Sequence, residues 1–290
     1  MFTLKRKYIP YLFLFPAVAG LLVFKVYPLC SGLFDSFFKY SFLKKTSRFV
    51  GLDNYAALFS DPVFLNSLKV TVIFNLITNP LQIALSLGLA YVLTLKLKGN
   101  HFFRTLHLVP ITVSFTIACT LWGVLLNPDQ GLLNSLLNAL GIPNQPFLTS
   151  SKQALGSIIA IASWKGVGYW AVFLIAGMEN IPRDLYEAAD IDGAAKGAAF
   201  FRVTLPLLKN TLLFVMVSDT ISNFLLFVPA YMLTGGGPQG STDFLMYRIY
   251  QNAYTYSNMN AASAMVMVLL AILLAVIGLE SLLMKERAQG

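Results

Sequence analysis

The sequence predicts an all-α membrane protein, a bundle of six transmembrane helices with one charged loop on the cytoplasmic side. Composition is the first reason: 57% of the 290 residues are hydrophobic and only 12% are charged, about half the charged fraction of an ordinary soluble domain. The second is that the apolar residues fall into six blocks, at about 9–31, 70–95, 106–126, 155–178, 207–228 and 261–284. Each approaches or exceeds the ~20 residues that cross a bilayer as a helix. The third is the texture of those blocks. They lack the short alternating pattern of barrel strands, and a helix is the other form that satisfies every backbone polar group within lipid.

The first block follows Lys5, Arg6 and Lys7 and includes Ala17-Val18-Ala19, which imitates a cleavable signal peptide. Because the apolar run continues to Phe24 and resumes after Lys25, it is read as the first spanning helix. Between the first two blocks, Asp53 heads one short amphipathic helix. Asp61-Pro62 supplies a cap and first turn for a second, which runs into the next span. The segments 127–154 and 229–260 are rich in Gly, Pro, Asn and Ser and read as long outer loops. Cys30 and Cys119 lie in or beside apolar blocks, fit no metal spacing, and are expected to be small buried hydrophobes. No regular repeat and no shift in composition divides the chain, so one membrane domain, residues 1–290, is expected.

Basic residues set the orientation. With the N-terminus inside, twelve Lys and Arg fall on the cytoplasmic side and seven outside, with Lys25 and Lys165 within spans. That asymmetry places both termini in the cytoplasm. The net charge of +8 is accounted for by orientation and contact with anionic lipid rather than by nucleic acid.

Residues 179–206 leave the membrane and turn charged. Pro182 suits the first turn of a helix in which Leu185, Ala188 and Ala189 share a small apolar face, flanked by Glu187, Asp190 and Asp192. Gly193 can end that helix in a left-handed turn, and a second short helix, about 194–202, leads to Leu205 and Pro206. A face of small residues suits insertion into a partner's groove; an amphipathic loop lying on the membrane surface is the other reading of the same pattern.

Taken whole, Glu187-Ala188-Ala189, Gly193 and Val203-Thr204-Leu205-Pro206 form Glu-Ala-Ala-x3-Gly-x9-Val-x-Leu-Pro. This resembles the cytoplasmic signature of permease subunits in bacterial ATP-driven importers, with Val203 where that family usually has Ile. Phe49-Val50-Gly51-Leu52-Asp53-Asn54-Tyr55, Asn127-Pro128-Asp129-Gln130-Gly131 and Thr234-Gly235-Gly236-Gly237-Pro238 resemble stretches of carbohydrate-type permeases, the maltose-like and glycerol-phosphate-like subunits. The resemblance implies an inner-membrane permease that takes up a sugar or sugar-like solute by alternating access. It implies as partners a second permease, a dimer of ATP-binding subunits that holds the ATP and Mg, and an external solute-binding protein. It also implies that Glu187, Ala188, Ala189, Asp192, Gly193, Leu205 and Pro206 couple this chain to the ATPase.

The chain carries no chemistry of its own that the sequence reveals. Gly235-Gly236-Gly237 lacks a following Gly-Lys-Ser/Thr and falls outside, so it reads as a turn rather than a phosphate loop. His101 and His107 have no metal-ligating neighbours in sequence and read as interfacial residues. No cofactor, metal site or catalytic set is expected. A stand-alone secondary transporter would need ion coupling and usually inverted repeats, and a membrane enzyme would need a convergent catalytic set.

A solute path is sought among polar residues inside the spans. Lys165 lies 13 residues before Met178 and Asp219 13 residues after Pro206, roughly 20 Å along each helix from its cytoplasmic end. The two are expected at one depth and are candidates for pairing. Tyr169 shares a face with Lys165, and Ser222 and Asn223 share one with Asp219. With Asn79 these residues offer the donors, acceptors and aromatic face that sugar hydroxyls and rings require; Trp164, Trp170 and Asn75 are possible additions. A purely structural ion pair with interhelical hydrogen bonds is the competing explanation.

Overall fold

The computed structural model describes residues 9–41, 46–95 and 100–286. Lys5, Arg6, Lys7, Lys44, Lys45, Lys96, Lys98 and Arg287, which enter the orientation count, lie outside them. The chain forms two compact units, one from residues 1–65 with 248–271 and the other from 66–247 with 272–290.

In the first unit, α1 (Ile9–Leu21) passes through a π-helical turn (Leu22–Val26) into α2 (Tyr27–Asp35). This span is longer than expected and buries none of its apolar residues. Cys30 is exposed on it, contrary to expectation. A hairpin of β1 (Phe38–Ser41) and β2 (Thr46–Phe49) follows, pairing Phe38 with Phe49 and Tyr40 with Ser47; the sequence reading placed no strand here. The expected helix at Asp53 is present as α3 (Asp53–Ser60). Its Asn54 donates to the carbonyls of Ser36 and Phe38 at 2.7 and 2.9 Å, and Tyr55 bonds the Ser36 hydroxyl at 2.7 Å. Part of the Phe49–Tyr55 stretch therefore works by tying α3 to the hairpin base.

The second short helix expected at Asp61-Pro62 is the first turn of α4 (Pro62–Thr94), one helix of 33 residues. It buries a polar stripe, Ser67, Thr71, Asn75, Thr78, Gln82 and Ser86, at steps of three and four residues that keep one helical face. Within lipid, apolar contact alone gives helices little reason to associate, and such groups bond across them instead. The Ser86 hydroxyl donates to the Val167 carbonyl at 3.1 Å, and Thr71 accepts from the Leu245 amide at 2.8 Å.

The third block is not one straight helix. α5 (Asn100–Leu106) and α6 (Val109–Thr112) meet α7 (Phe115–Leu125) across a bend of 98°. Val113 and Ser114 are extended there, and the Ser114 side chain caps α7 by accepting from the Ile117 amide at 3.2 Å. Pro110 in α6 has no amide to offer the preceding turn. The loop beyond carries α8 (Leu132–Ala139) and a short 3-10 turn (Phe147–Thr149), neither anticipated.

α9 (Ala154–Glu179) is the fourth span. α10 (Arg183–Ile191), α11 (Lys196–Ala199), a π turn (Phe200–Thr204) and α12 (Leu205–Leu207) make the loop region. α13 (Lys209–Phe224) then turns by 72° at Leu208, just after Pro206. It stops four residues short of the expected end, and a π turn (Ala230–Thr234) and α14 (Leu245–Tyr250) occupy part of the expected outer loop. A π turn (Gln251–Thr255) precedes α15 (Met259–Glu286), the last span. Among the described residues, four helical stretches are long and apolar enough to cross a membrane, and up to six spans result if each bent pair is one.

Among the described residues, two apolar clusters hold the second unit. One joins Val70 and Phe74 to Ile158, Ala162, Phe244 and Tyr247; the other joins Ala90 and Leu93 to Trp170, Leu174, Leu208 and Val215. Both set α4 against α9, and α13 packs on α9.

Candidate solute pathway and coupling loop

A cavity of about 420 Å³ opens beside α9 and α13, lined by Lys165, Tyr169, Asp219, Ser222 and Asn223. Five residues singled out from the sequence thus meet at one wall. Lys165 and Asp219 share that wall but do not pair. Lys165 Nζ donates to the carbonyls of Pro110 and Val113 at 3.0 and 2.5 Å and lies 5.8 Å from the Phe115 ring centre. These carbonyls lie at the break between α6 and α7, where the helical ladder stops. The ammonium satisfies them.

Asp219 is 1% exposed and has different partners. Its Oδ1 accepts from Trp170 Nε1 at 2.6 Å and from Asn223 Nδ2 at 3.1 Å. Its Oδ2 has no partner among the described residues. Asn223 Nδ2 also reaches Asn79 Oδ1 at 2.7 Å and Gln82 Oε1 at 3.2 Å. Asn79 therefore stands one bond behind the wall rather than in it. Trp170, Gln82 and Phe115 join the lining. Gln82 and Phe115 were not foreseen; the spacing of the α4 polar stripe was the signal for Gln82. Gly166 makes room for it, since a Cβ there would stand 2.8 Å from Gln82 Nε2. Ser222 is exposed and bonds the Ser218 carbonyl at 2.8 Å. Trp164 packs edge-on against Trp122 with ring centres 5.7 Å apart, and Asn75 lines a separate cavity.

On the loop, Glu187 and Ala188 are exposed and Ala189 is half-buried. Pro182 stands just ahead of α10 rather than in its first turn, and Asp192 closes the helix. Gly193 follows at φ +74°, the left-handed turn expected of it, and the Ala194 amide returns to the Ala189 carbonyl at 2.9 Å. Tyr186 bonds the Thr204 hydroxyl at 2.9 Å, tying α10 to the π turn ahead of Leu205 and Pro206. Ile191 is 86% exposed and Leu185 42% exposed, so the loop presents bare apolar side chains. Nearby, Arg104 pairs with Glu179 at 2.8 Å and donates through Nε to the Leu93 carbonyl at 3.0 Å.

Residues 62–284 match the family described as binding-protein-dependent transport system inner membrane component. The chain belongs to that family. It is thus a permease of an importer that works with a binding protein. It is 39% identical to the probable ABC transporter permease protein YurN of Bacillus subtilis over 275 residues, 93% of this chain and 94% of that protein. It is 34% identical to the sn-glycerol-3-phosphate transport system permease protein UgpA of Brucella abortus, covering 98% of this chain and 97% of that one. With the sulfoquinovosyl glycerol transport system permease protein SmoG of Agrobacterium fabrum the identity is 35%, covering 91% and 86%. The permease fold also matches a chain of a bacterial ABC transporter that imports the acidic polysaccharide alginate. That match has a TM-score of 0.81 at 22% identity and covers 97% of this chain and 96% of the other.

Proposed function

We propose that this permease passes a neutral, hydroxyl-rich solute of the sugar class along the wall formed by Lys165, Tyr169, Asp219, Ser222 and Asn223, with Asn79 behind it. The observation that carries the reading is the charge arrangement of that wall. Its lysine is engaged by two backbone carbonyls, while one oxygen of Asp219 has no partner among the described residues. Such a wall favours donors over anions, and Tyr169 and Trp170 add aromatic faces for a ring. Relatives named for sn-glycerol-3-phosphate and sulfoquinovosyl glycerol transport favour an anionic solute as the second reading.

In this reading the whole chain acts as one permease domain in the bacterial inner membrane with both termini in the cytoplasm. It assembles with a second permease, and two ATP-binding subunits carry the ATP and Mg. Loop 179–206, through Glu187, Ala188, Ala189, Asp192, Gly193, Leu205 and Pro206, takes up their motion. ATP closure opens the cavity outward and hydrolysis resets it. The exposed apolar side chains of Leu185 and Ile191 support a docked partner there. The test is uptake by proteoliposomes of the assembled transporter with its binding protein, with neutral sugars, polyols and glycerol phosphate as competitors. Neutral polyols should compete and glycerol phosphate should not; competition by glycerol phosphate alone would establish the second reading.

A further inference from the structure

A chain of hydrogen bonds runs from the cavity wall through α13 to the last helix. Asn223 Nδ2 donates to Asn79 Oδ1 at 2.7 Å, Asn79 Nδ2 donates to Thr220 Oγ1 at 3.0 Å, and Thr220 Oγ1 donates to Glu280 Oε1 at 2.7 Å. At the near end Asn223 meets Asp219, which also holds Trp170 Nε1. Thr220 and Asn223 are 0% and 5% exposed. Glu280 lies outside the solute cavity; it lines a separate one of about 340 Å³ with Asn75 and Asn79. No sequence motif points to it.

The direction of this chain is determined by chemistry. A side-chain amide has one donating and one accepting end, and its partners decide which way it faces. A hydroxyl has one proton to give, and Thr220 gives it to Glu280 Oε1. Thr220 then accepts from Asn79 Nδ2, which turns Asn79 Oδ1 toward Asn223. Asn223 must answer with Nδ2, and Asp219 at the other end demands the same. Three acceptors stand within 3.2 Å of that single nitrogen. Asn223 Oδ1 is left as the end outside the network, on a residue that lines the cavity.

We propose that Glu280 is a positioning residue for solute passage: acting through Thr220 and Asn79, it fixes the Asn223 amide so that its carbonyl oxygen, an acceptor, is the end offered to the cavity. The solute role of that oxygen rests on the pathway reading above; the relay itself does not. Asn79 and Thr220 are positioning residues in the same sense.

The relay has a readout independent of any solute. Trp170 Nε1–H and Asn223 Nδ2 share one oxygen, Asp219 Oδ1, so a change in the Asn223 amide alters the Trp170 hydrogen bond. The full chain, co-purified with its partner subunits in lipid nanodiscs and alone carrying 15N-tryptophan, has three indole N–H signals to assign by Trp122→Phe and Trp164→Phe. Thr220→Val, isosteric but without the hydroxyl, releases the Asn79 amide to turn its Nδ2 toward Asn223; the weakened Asn223–Asp219 bond should move the Trp170 signal downfield and leave the other two in place. Glu280→Leu, which removes the acceptor, should move it the same way, and the double variant should move it no further than Thr220→Val, because the steps are in series. Thr220→Ser keeps the hydroxyl and should leave the signal where it is in the unaltered protein. An unmoved Trp170 signal in folded Thr220→Val and Glu280→Leu, or additive shifts in the double variant, would overturn the relay. A separate measurement isolates the pathway reading: in a Cys30→Ser, Cys119→Ala chain, Ser222→Cys should react with a water-soluble thiol reagent. Failure to react with the relay intact would remove the solute role and leave the relay standing.

Discussion

Lys165→Met is the most informative single change. The side chain keeps its length and apolar stem but loses both donors to the Pro110 and Val113 carbonyls. Hydrogen bonds from a charged donor contribute roughly 1.5–3 kcal/mol each, so the two together represent about 3–6 kcal/mol. The cavity of about 420 Å³ has room for water, and re-solvating one carbonyl lowers the expected loss to about 2–3 kcal/mol. The loss should appear as a lower midpoint in reversible unfolding of the chain in mixed micelles. The exchange Lys165→Asp with Asp219→Lys should be worse than either single change. It sets a carboxylate against two carbonyl oxygens and an ammonium against the Trp170 and Asn223 donors. Recovery of stability on exchange would refute this reasoning and revive a direct ion pair.

Gly193→Val should reach the membrane yet lose ATPase binding. A β-branched residue at φ +74° costs about 1–3 kcal/mol, and with nothing within 4 Å of a Cβ there the cost is one of backbone alone. Gly193→Asn, which tolerates that conformation, should retain binding in a pull-down, and equal loss in both would point to the side chain instead. Glu187→Lys should give normal insertion with impaired uptake; normal transport by both Gly193→Val and Glu187→Lys would remove the coupling role from this loop. The purified chain should release no phosphate from ATP until the partner ATPase is added, and robust turnover by the chain alone would contradict the division of labour.

Hydropathy made the spans legible because it averages over a window, and for the same reason it hid the breaks within them. Pro110 and Pro206 marked where backbone bonding would fail, but neither tells how far the axis turns, which depends on what receives the freed carbonyls. At the first break the receiver is Lys165, 52 and 55 residues further along the chain. This is why counting residues brought Lys165 and Asp219 to one cavity and gave them the wrong partners. Depth follows from a fixed rise per residue, whereas partnership depends on every acceptor within reach. The hairpin was missed for a related reason. Its strands are four residues each, too short for a periodicity, and its base is held by Asn54, 16 and 18 residues away from the carbonyls it bonds.

The polar stripe of α4 connects these cases. Six buried polar residues in a helix of mostly apolar ones barely change its mean hydropathy, yet they determine which face meets the other helices. Leu76 on the same helix remains 70% exposed, while Gln82 is 1% exposed. A soluble helix would reverse that arrangement, because water rewards the burial of leucine and lipid does not. In a lipid-facing helix the informative periodicity is therefore that of the polar residues. Read that way, Ser67 through Ser86 mark the inward face of α4, and Asn79, one residue from Thr78, lies at its margin. From there Asn79 reaches both Thr220 and Asn223 on α13.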